Sequence, residues 1–376
     1  MMKELFLSCC LLLTATTMPL KAQPLSERYG RFLTQPEGYV CLRTSDTICI
    51  DGIPDEAVWQ YAPPITRFTD IRGAGYPAPH FHTQARMLWD DRYLYIAAEL
   101  QEPDVWAGLR QRDTIVYYNN DFEVFIDPDG DGHHYYEIEV NALCTVFDLY
   151  LEKAYRAPRR PHIMFQWNCP GLRIATHVDG TLNLPGDTDR GWSVEMAIPR
   201  EAIAAEFDNC LQTGNYLRIG FSRVQWQHST DKDGRYHRKQ NTDGTFLPED
   251  NWTWGPTGQV AMHMPERWGY VYLSDLIAGS DVPEPFRYPA SYPVERLLWM
   301  LFYAQEEQYA KHGRYHTSLE AFGLTKEELG TLPPGSHITV EAISRKYEIT
   351  VVLPDGQQMS IDETGRLSRL SPRPKP

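Results

Sequence analysis

From about Val40 to Leu276 the chain is a succession of short runs in which apolar and polar residues alternate, broken at close intervals by turn residues. No other feature restricts the fold as much, because successive side chains of a strand point to opposite faces and a period-two run buries only one of them. Ala85–Trp89 stops at Asp90-Asp91 and Leu94–Leu100 returns, which predicts a hairpin. Phe122–Ile126 alternates, Asp127 to Gly132 turns, and Tyr135–Asn141 alternates again. Further strands are expected at Thr145–Leu151, Leu172–Val178, Gly191–Ile198, Leu217–Trp226 and Tyr270–Ser274, with brief helical pieces near Ala57–Trp59 and over Pro199–Ala205. Many strands without interleaved helices predict a mainly β fold, an antiparallel β-sandwich of jelly-roll type.

The period then changes. Ala278 to Pro293 is rich in Pro, with Gly, Ser and Asp, and carries no periodicity, which is linker chemistry. Val294, Leu297, Leu298, Leu301 and Gln305 follow helical spacing, and Gly313 is a good stop after Lys311 and His312. A second short helix is expected over Ser318–Leu329, then strands at Ile338–Ser344, Tyr347–Leu353 and Gln358–Ile361. The chain therefore divides into a segment 1–22, a sandwich 23–277, a linker 278–293 and a small α+β domain 294–376. The stretches AQEEQYAKHGRY, SLEAFGL and DETGRL in that last domain resemble the globular part of type IV pilin-like proteins, which implies a shape and a candidate surface for a protein partner.

Segment 1–22 reads as an export signal: Lys3, an apolar run from Leu5 to Leu13, then small and polar residues up to Ala22. Nothing later is apolar for long enough to span a bilayer. The expected destination is the periplasm, the cell surface or the medium. Beyond the signal, Cys41, Cys49, Cys144, Cys169 and Cys210 are odd in number and show no CxxC spacing, so free thiols are expected instead of a disulfide framework. A formal net charge of −14 repels phosphate backbones and excludes nucleic acid as a natural partner.

Several stretches of the sandwich, in order, resemble family 9 carbohydrate-binding modules: Ile50-Asp-Gly-Ile-Pro-Asp-Glu-Ala-Val-Trp59, Leu88–Ile96, Asn120–His133 leading to Glu139-Val-Asn141, Gly191-Trp192 with Glu195–Pro199, Asn251–Pro256 and Met262–Gly269. The resemblance implies non-catalytic binding of a glycan end between two Trp side chains, with Arg, Glu, Asn and Gln nearby, in a system that uses polysaccharides. In this chain Trp252 and Trp254 lie in a turn-rich segment between Pro248 and Gly255-Pro256, so at least one of them is expected on a loop, and Trp106 follows the loop residues Glu102-Pro-Asp104. Trp106 and Trp254 are therefore the expected pair of rings, with Trp252 beside them, Arg110 and Arg112 as charged grips, and Gln225 and Asn251 as amides. Asp127-x-Asp129-x-Asp131-Gly132 has the spacing that opens a calcium loop, but Ile138 stands where an EF-hand needs Glu, so these acids are either a hairpin turn or a calcium site of another kind. Asp121 is expected to anchor a loop or a metal.

Three rival functions remain open at this point. A glycoside hydrolase needs two carboxylates a few ångströms apart, and no motif singles out a pair. Haem could sit against Met262-His263-Met264, and a structural or assembly role could reside in the C-terminal domain.

Overall fold

The structure, a computed structural model, describes residues 23–204 and 211–370. The expected export signal and Cys210 lie outside the described residues. After a short helix α1 (Leu25–Arg28) come β1 (Gly38–Arg43), β2 (Phe68–Asp70), β3 (Thr83–Trp89), β4 (Tyr93–Gln101), β5 (Asp121–Asp127), β6 (His133–Asn141), β7 (Val146–Lys153) and β8 (Ile163–Met164). They are followed by β9 (Arg173–Asp179), β10 (Gly191–Pro199), β11 (Tyr216–Gln225), a small hairpin β12 (His228–Thr230) and β13 (Tyr236–Arg238), then β14 (Asp250–Trp254) and β15 (Gly269–Ile277).

Thirteen of these strands form one hydrogen-bonded sheet in the order β8-β7-β6-β5-β11-β15-β1-β3-β4-β10-β9, with β14 beside β11 and β2 beside β14. Strand β11 changes partner along its length: Tyr216–Ile219 pairs with β15 and Ser222–Gln225 with β14. The sheet curls there, so its two halves face each other across one core. Met87, Ile96, Val194 and Met196 from one half meet Phe122, Val124, Ile138 and Phe221 from the other. This is the sandwich that the alternating pattern predicts. Two pairings depart from it, since β1 runs parallel to both of its neighbours, β15 and β3. As the first strand laid between the two halves, β1 joins them without a hairpin on either side.

The C-terminal unit packs helix α2 (Tyr292–His312) on a sheet of β16 (His337–Ala342), β17 (Tyr347–Val352), β18 (Gln358–Asp362) and β19 (Leu367–Leu370). Gly313 takes φ +65° and ends α2 as expected. The helix expected over 318–329 instead splits into a 3-10 turn at Leu319–Phe322 and α3 (Lys326–Leu329). Gly323 at φ +67° interrupts it, and the Thr325 hydroxyl, accepting from the Glu328 amide, caps the second piece. Leu25, Tyr29 and Leu33 pack in the same apolar cluster as Leu297, Leu298 and Ile349.

The acidic turn of the sandwich receives this unit. The Leu367 amide donates to the Asp131 carbonyl at 2.8 Å, Arg366 Nε to the Asp131 carboxylate at 3.0 Å, and Arg369 to the Asp129 carbonyl at 3.1 Å. A second tie runs from Arg156 to Glu266 at 2.7 Å and from the Tyr303 hydroxyl to Glu266 at 2.5 Å. Cys41, Cys49, Cys144 and Cys169 are all free thiols.

Candidate binding cleft

At one end of the sandwich the residues leaving β4 (Glu102–Asp104) and β11 (Gln225–His228) meet His80-Phe81 ahead of β3 and Asp250 at the start of β14. Together they enclose a cleft of about 230 Å³. Strand register produces this convergence: β11 and β14 pair so that Gln225 stands opposite Asp250, and β3 pairs with β4 so that Thr83 stands opposite Leu100.

The floor is a buried polar network. Glu102 accepts from Trp192 Nε1 at 3.0 Å, from Gln225 Nε2 at 3.0 Å and from Asn120 Nδ2. Arg223 donates to the Gln225 amide oxygen at 2.7 and 3.1 Å, to the Thr83 hydroxyl at 3.0 Å and to the Gln101 carbonyl at 2.7 Å, with its guanidinium 3.9 Å from Glu102. Burial pushes the Glu102 carboxyl above the usual Glu range against the pull of Arg223, and it brings the Arg223 guanidinium down to about 10. With every donor matched, the network is a fixed platform instead of a flexible one.

The walls are rings. His80 meets Phe81 and Trp252 edge to face, at 4.4 and 4.7 Å between centroids, and Arg223 lies 5.2 Å over the Trp252 ring. Across the cleft, Trp226 is held by its Nε1, which donates to the Tyr117 carbonyl at 2.7 Å, and by Arg238 4.6 Å over its face. Trp106 stacks with Tyr236 behind it, and the Tyr236 hydroxyl donates to Asp104 at 3.1 Å.

Of the residues expected at the site, Gln225 lines the cleft directly. Trp252 and Trp106 back its two walls but are themselves only 2% and 4% exposed. Asn251 stands next to Asp250, opposite Val224. Trp254 corrects the expectation. Its segment is a strand and not a loop, and residues two apart on a strand share a face, so Trp254 follows Trp252 into the core. There it stacks on Phe221 and meets Tyr39 edge to face, so it forms no pair with Trp106. Nine of the ten tryptophans are buried, and the two-indole clamp is absent among the described residues. Arg112 is also elsewhere, paired with Asp148 at 2.5 Å, and Arg110 is an exposed side chain outside the cleft lining.

Asp127, Asp129 and Asp131 do come together, but their oxygens are largely engaged. Asp127 accepts from the Gly130 and Gly132 amides at 2.9 and 2.8 Å, Asp129 from the Asp131 amide at 3.2 Å, and Asp131 from the His133 amide and Arg366. The positive charge at this turn is supplied by arginine, and the donor set fits a docking turn better than a calcium loop. Met262 and Met264 belong to different apolar clusters, and His263 Nδ1 pairs with the Tyr135 hydroxyl at 3.0 Å, so the three do not converge on one axial position for haem. His80, Phe81, Glu102, Arg223, Trp226, His228 and Asp250 were not anticipated as site residues. The one sequence signal for them was the turn-forming Glu102-Pro-Asp104.

The carbohydrate family 9 binding domain-like model matches residues 50–276, and the chain belongs to that family. It is 28% identical over 175 residues to exoglucanase XynX of Acetivibrio thermocellus, a match that covers 46% of this chain and 14% of that enzyme. The chain thus spans a small part of the curated relative it matches. Among solved structures, a Bacteroides uniformis protein overlaps 64% of this chain and all of its own at 16% identity and TM-score 0.47. A family 9 carbohydrate-binding module from Caldicellulosiruptor kristjanssonii, solved with cellotriose, overlaps 65% of this chain and 99% of its own at 15% identity and TM-score 0.39. Among the described residues no helix is long and apolar enough to cross a membrane.

Proposed function

We propose that this chain binds the exposed end of a glycan, without cleaving it, in the cleft between Phe81 and Trp226. The observation that carries the reading is a fully matched buried platform of Glu102, Gln225 and Arg223 beneath aromatic walls. Saccharides offer two faces to a protein, an apolar ring face that stacks on aromatic carbon and a rim of hydroxyls that bonds to carboxylates and amides. Phe81 and Trp226 supply the first, and Asp250, Asp104 and the outer edge of Gln225 the second. A pre-formed platform loses little entropy when the sugar arrives. Family membership agrees with this reading, and the first 22 residues fit export to where polysaccharide is met.

Calorimetric titration of the full chain with soluble mono- and oligosaccharides tests it. Phe81→Ala and Asp250→Asn are each expected to weaken binding about tenfold or more, equivalent to about 1.4 kcal/mol, with no sugar product released. Unchanged affinity in both variants would place the site elsewhere.

A further inference from the structure

Where the N-terminal segment, the sandwich and α2 meet, a pocket of about 30 Å³ shares no lining residue with the cleft. Arg218 of β11, Arg267 of the 3-10 turn Pro265–Arg267 and Arg296 of α2 reach it from three elements, among the rings of Tyr270, Tyr292 and Trp299. Arg218 alternates with the core residues Leu217 and Ile219, so its side chain leaves the sandwich on the opposite face. It is 5% exposed and Arg267 3%, and neutral oxygens hold both. Arg218 Nε donates to the Pro265 carbonyl at 3.3 Å and its Nη2 to the Glu266 carbonyl, with the guanidinium 3.7 Å above the Tyr270 ring. Arg267 donates to the Phe32 and Thr34 carbonyls at 2.9 and 2.7 Å and to the Pro256 carbonyl at 3.1 Å. One donor on each stays unmatched: Arg218 Nη1 and Arg267 Nε are buried without a hydrogen-bond partner.

Three carboxylates share the pocket wall, and each is committed elsewhere. Glu266 accepts from Arg156 and the Tyr303 hydroxyl, Glu295 from Arg369, Ser291 and the Tyr270 hydroxyl, and Asp127 from the Gly130 and Gly132 amides. Burial also pushes the Asp127 carboxyl well above the usual Asp range, which favours its neutral form. With Arg156 set against Glu266 and Arg369 against Glu295, Arg218 and Arg267 remain as two buried positive charges that hydrogen-bond to no carboxylate among the described residues. Burial draws the Arg267 guanidinium below its ordinary value against the pull of Tyr303 and Glu266, and the charge of Arg218 adds to the fall. An unpaired buried charge is strongly destabilising, and a water that satisfied the two donors would leave that charge in place.

We infer that Arg218 and Arg267 hold a halide-sized anion, chloride, which fastens the C-terminal unit to the sandwich. A water-sized particle needs about 10–15 Å³ of such space, so a pocket of about 30 Å³ admits a halide but no sugar or phosphate ester. Guanidinium groups suit an anion in a buried site, because they are weakly hydrated and present several donors in a fixed fork. Arg267 is anchored on the N-terminal segment and Arg296 and Tyr292 stand on α2, so an ion between them neutralises the seam where the units meet.

Crystals of the full chain grown in NaBr and measured at the bromine absorption edge test the assignment. An anomalous peak within hydrogen-bond reach of Arg218 Nη1 and Arg267 Nε is expected, and the absence of that peak overturns the inference. Melting curves of the chloride-free chain, titrated with NaCl against sodium methanesulfonate at equal ionic strength, test the role in docking. Chloride at about a hundred times its Kd should raise the melting temperature by a few degrees, whereas the bulkier methanesulfonate should not. Arg218→Gln should demand at least about tenfold more chloride for the same rise, while Arg190→Gln, an exposed side chain paired with Asp179, should leave the response unchanged. Should Arg218→Gln fail to fold, Arg267→Gln is read in its place. An equal response to both salts, or the wild-type chloride dependence in the pocket variant, overturns the inference.

Discussion

Exchanging Glu102 for Gln alters one charge in the platform beneath the cleft and almost nothing of its volume. Glu102 is 2% exposed and Arg223 1%. In the native chain both oxygens of Glu102 accept, from Trp192, Gln225 and Asn120. A Gln side chain has one accepting oxygen and an amide that donates, so at least one of those donors is left facing another donor. Arg223 then keeps only neutral oxygens, from Gln225, Thr83, His82 and Gln101, around a buried positive charge. Leaving one member of a buried ion pair alone costs about 3–5 kcal/mol, enough to lower the melting temperature by on the order of 10 °C. Urea unfolding at fixed pH measures the difference directly. Because Glu102 and Arg223 act through each other, Glu102→Gln combined with Arg223→Met should cost clearly less than the sum of the two single changes. A loss below about 1 kcal/mol in Glu102→Gln, or simple additivity in the double variant, would refute the reasoning by showing that water already screens the pair.

Further expectations follow from packing and from titration. A Cβ on Gly269 would sit 2.6 Å from the Trp254 ring, so Gly269→Ala should cost about 1–3 kcal/mol in a urea titration. Trp254→Ala should cost about 3–5 kcal/mol, since it empties a core position behind Phe221, and any effect on sugar affinity should be smaller than that of Phe81→Ala. Burial pushes the carboxyls of Glu123 and Glu139 up to about 7 and about 8 from 4.5, so their contribution to stability is present at low pH and lost as pH rises through those values. His133 and His263, held down at about 4 and about 3 from 6.5, act in the opposite sense, but only below pH 6.5. Stability should therefore fall from pH 6.5 through about pH 8, a trend seen as a falling urea midpoint.

The strands of the sandwich were legible because each leaves a period-two trace bounded by turns, and α2 because its apolar spacing and its Gly313 stop agree. The segment where a loop is expected for Trp252 or Trp254 is strand β14. Its five residues lie between Pro248 and Gly255-Pro256, and nothing local reveals that they pair with β11 on one side and β2 on the other. That pairing is what turns Trp254 inward. The expected ring pair does not form for the same reason: only long-range register decides that Trp254 packs on Phe221 and Trp106 on Tyr236. Gln225, expected as an amide at the site, ends β11 beside Trp226 and lines the cleft. Glu102 and Arg223 escaped notice, since an acid after one strand and an arginine inside another become a pair only when β4 and β11 reach the same end of the sandwich. The acids of β5 and β6 present the same limit. The sequence shows them alternating, while their convergence depends on Glu123 meeting Glu139 across the ribbon.

A crystal structure of the full chain grown with a bound oligosaccharide tests the central claim most directly. The account predicts a pyranose ring within about 4 Å of Phe81 and Trp226, with hydroxyls bonded to the carboxylates and amides at the cleft floor. Density for the sugar on another surface, with this cleft left open to water, would contradict it.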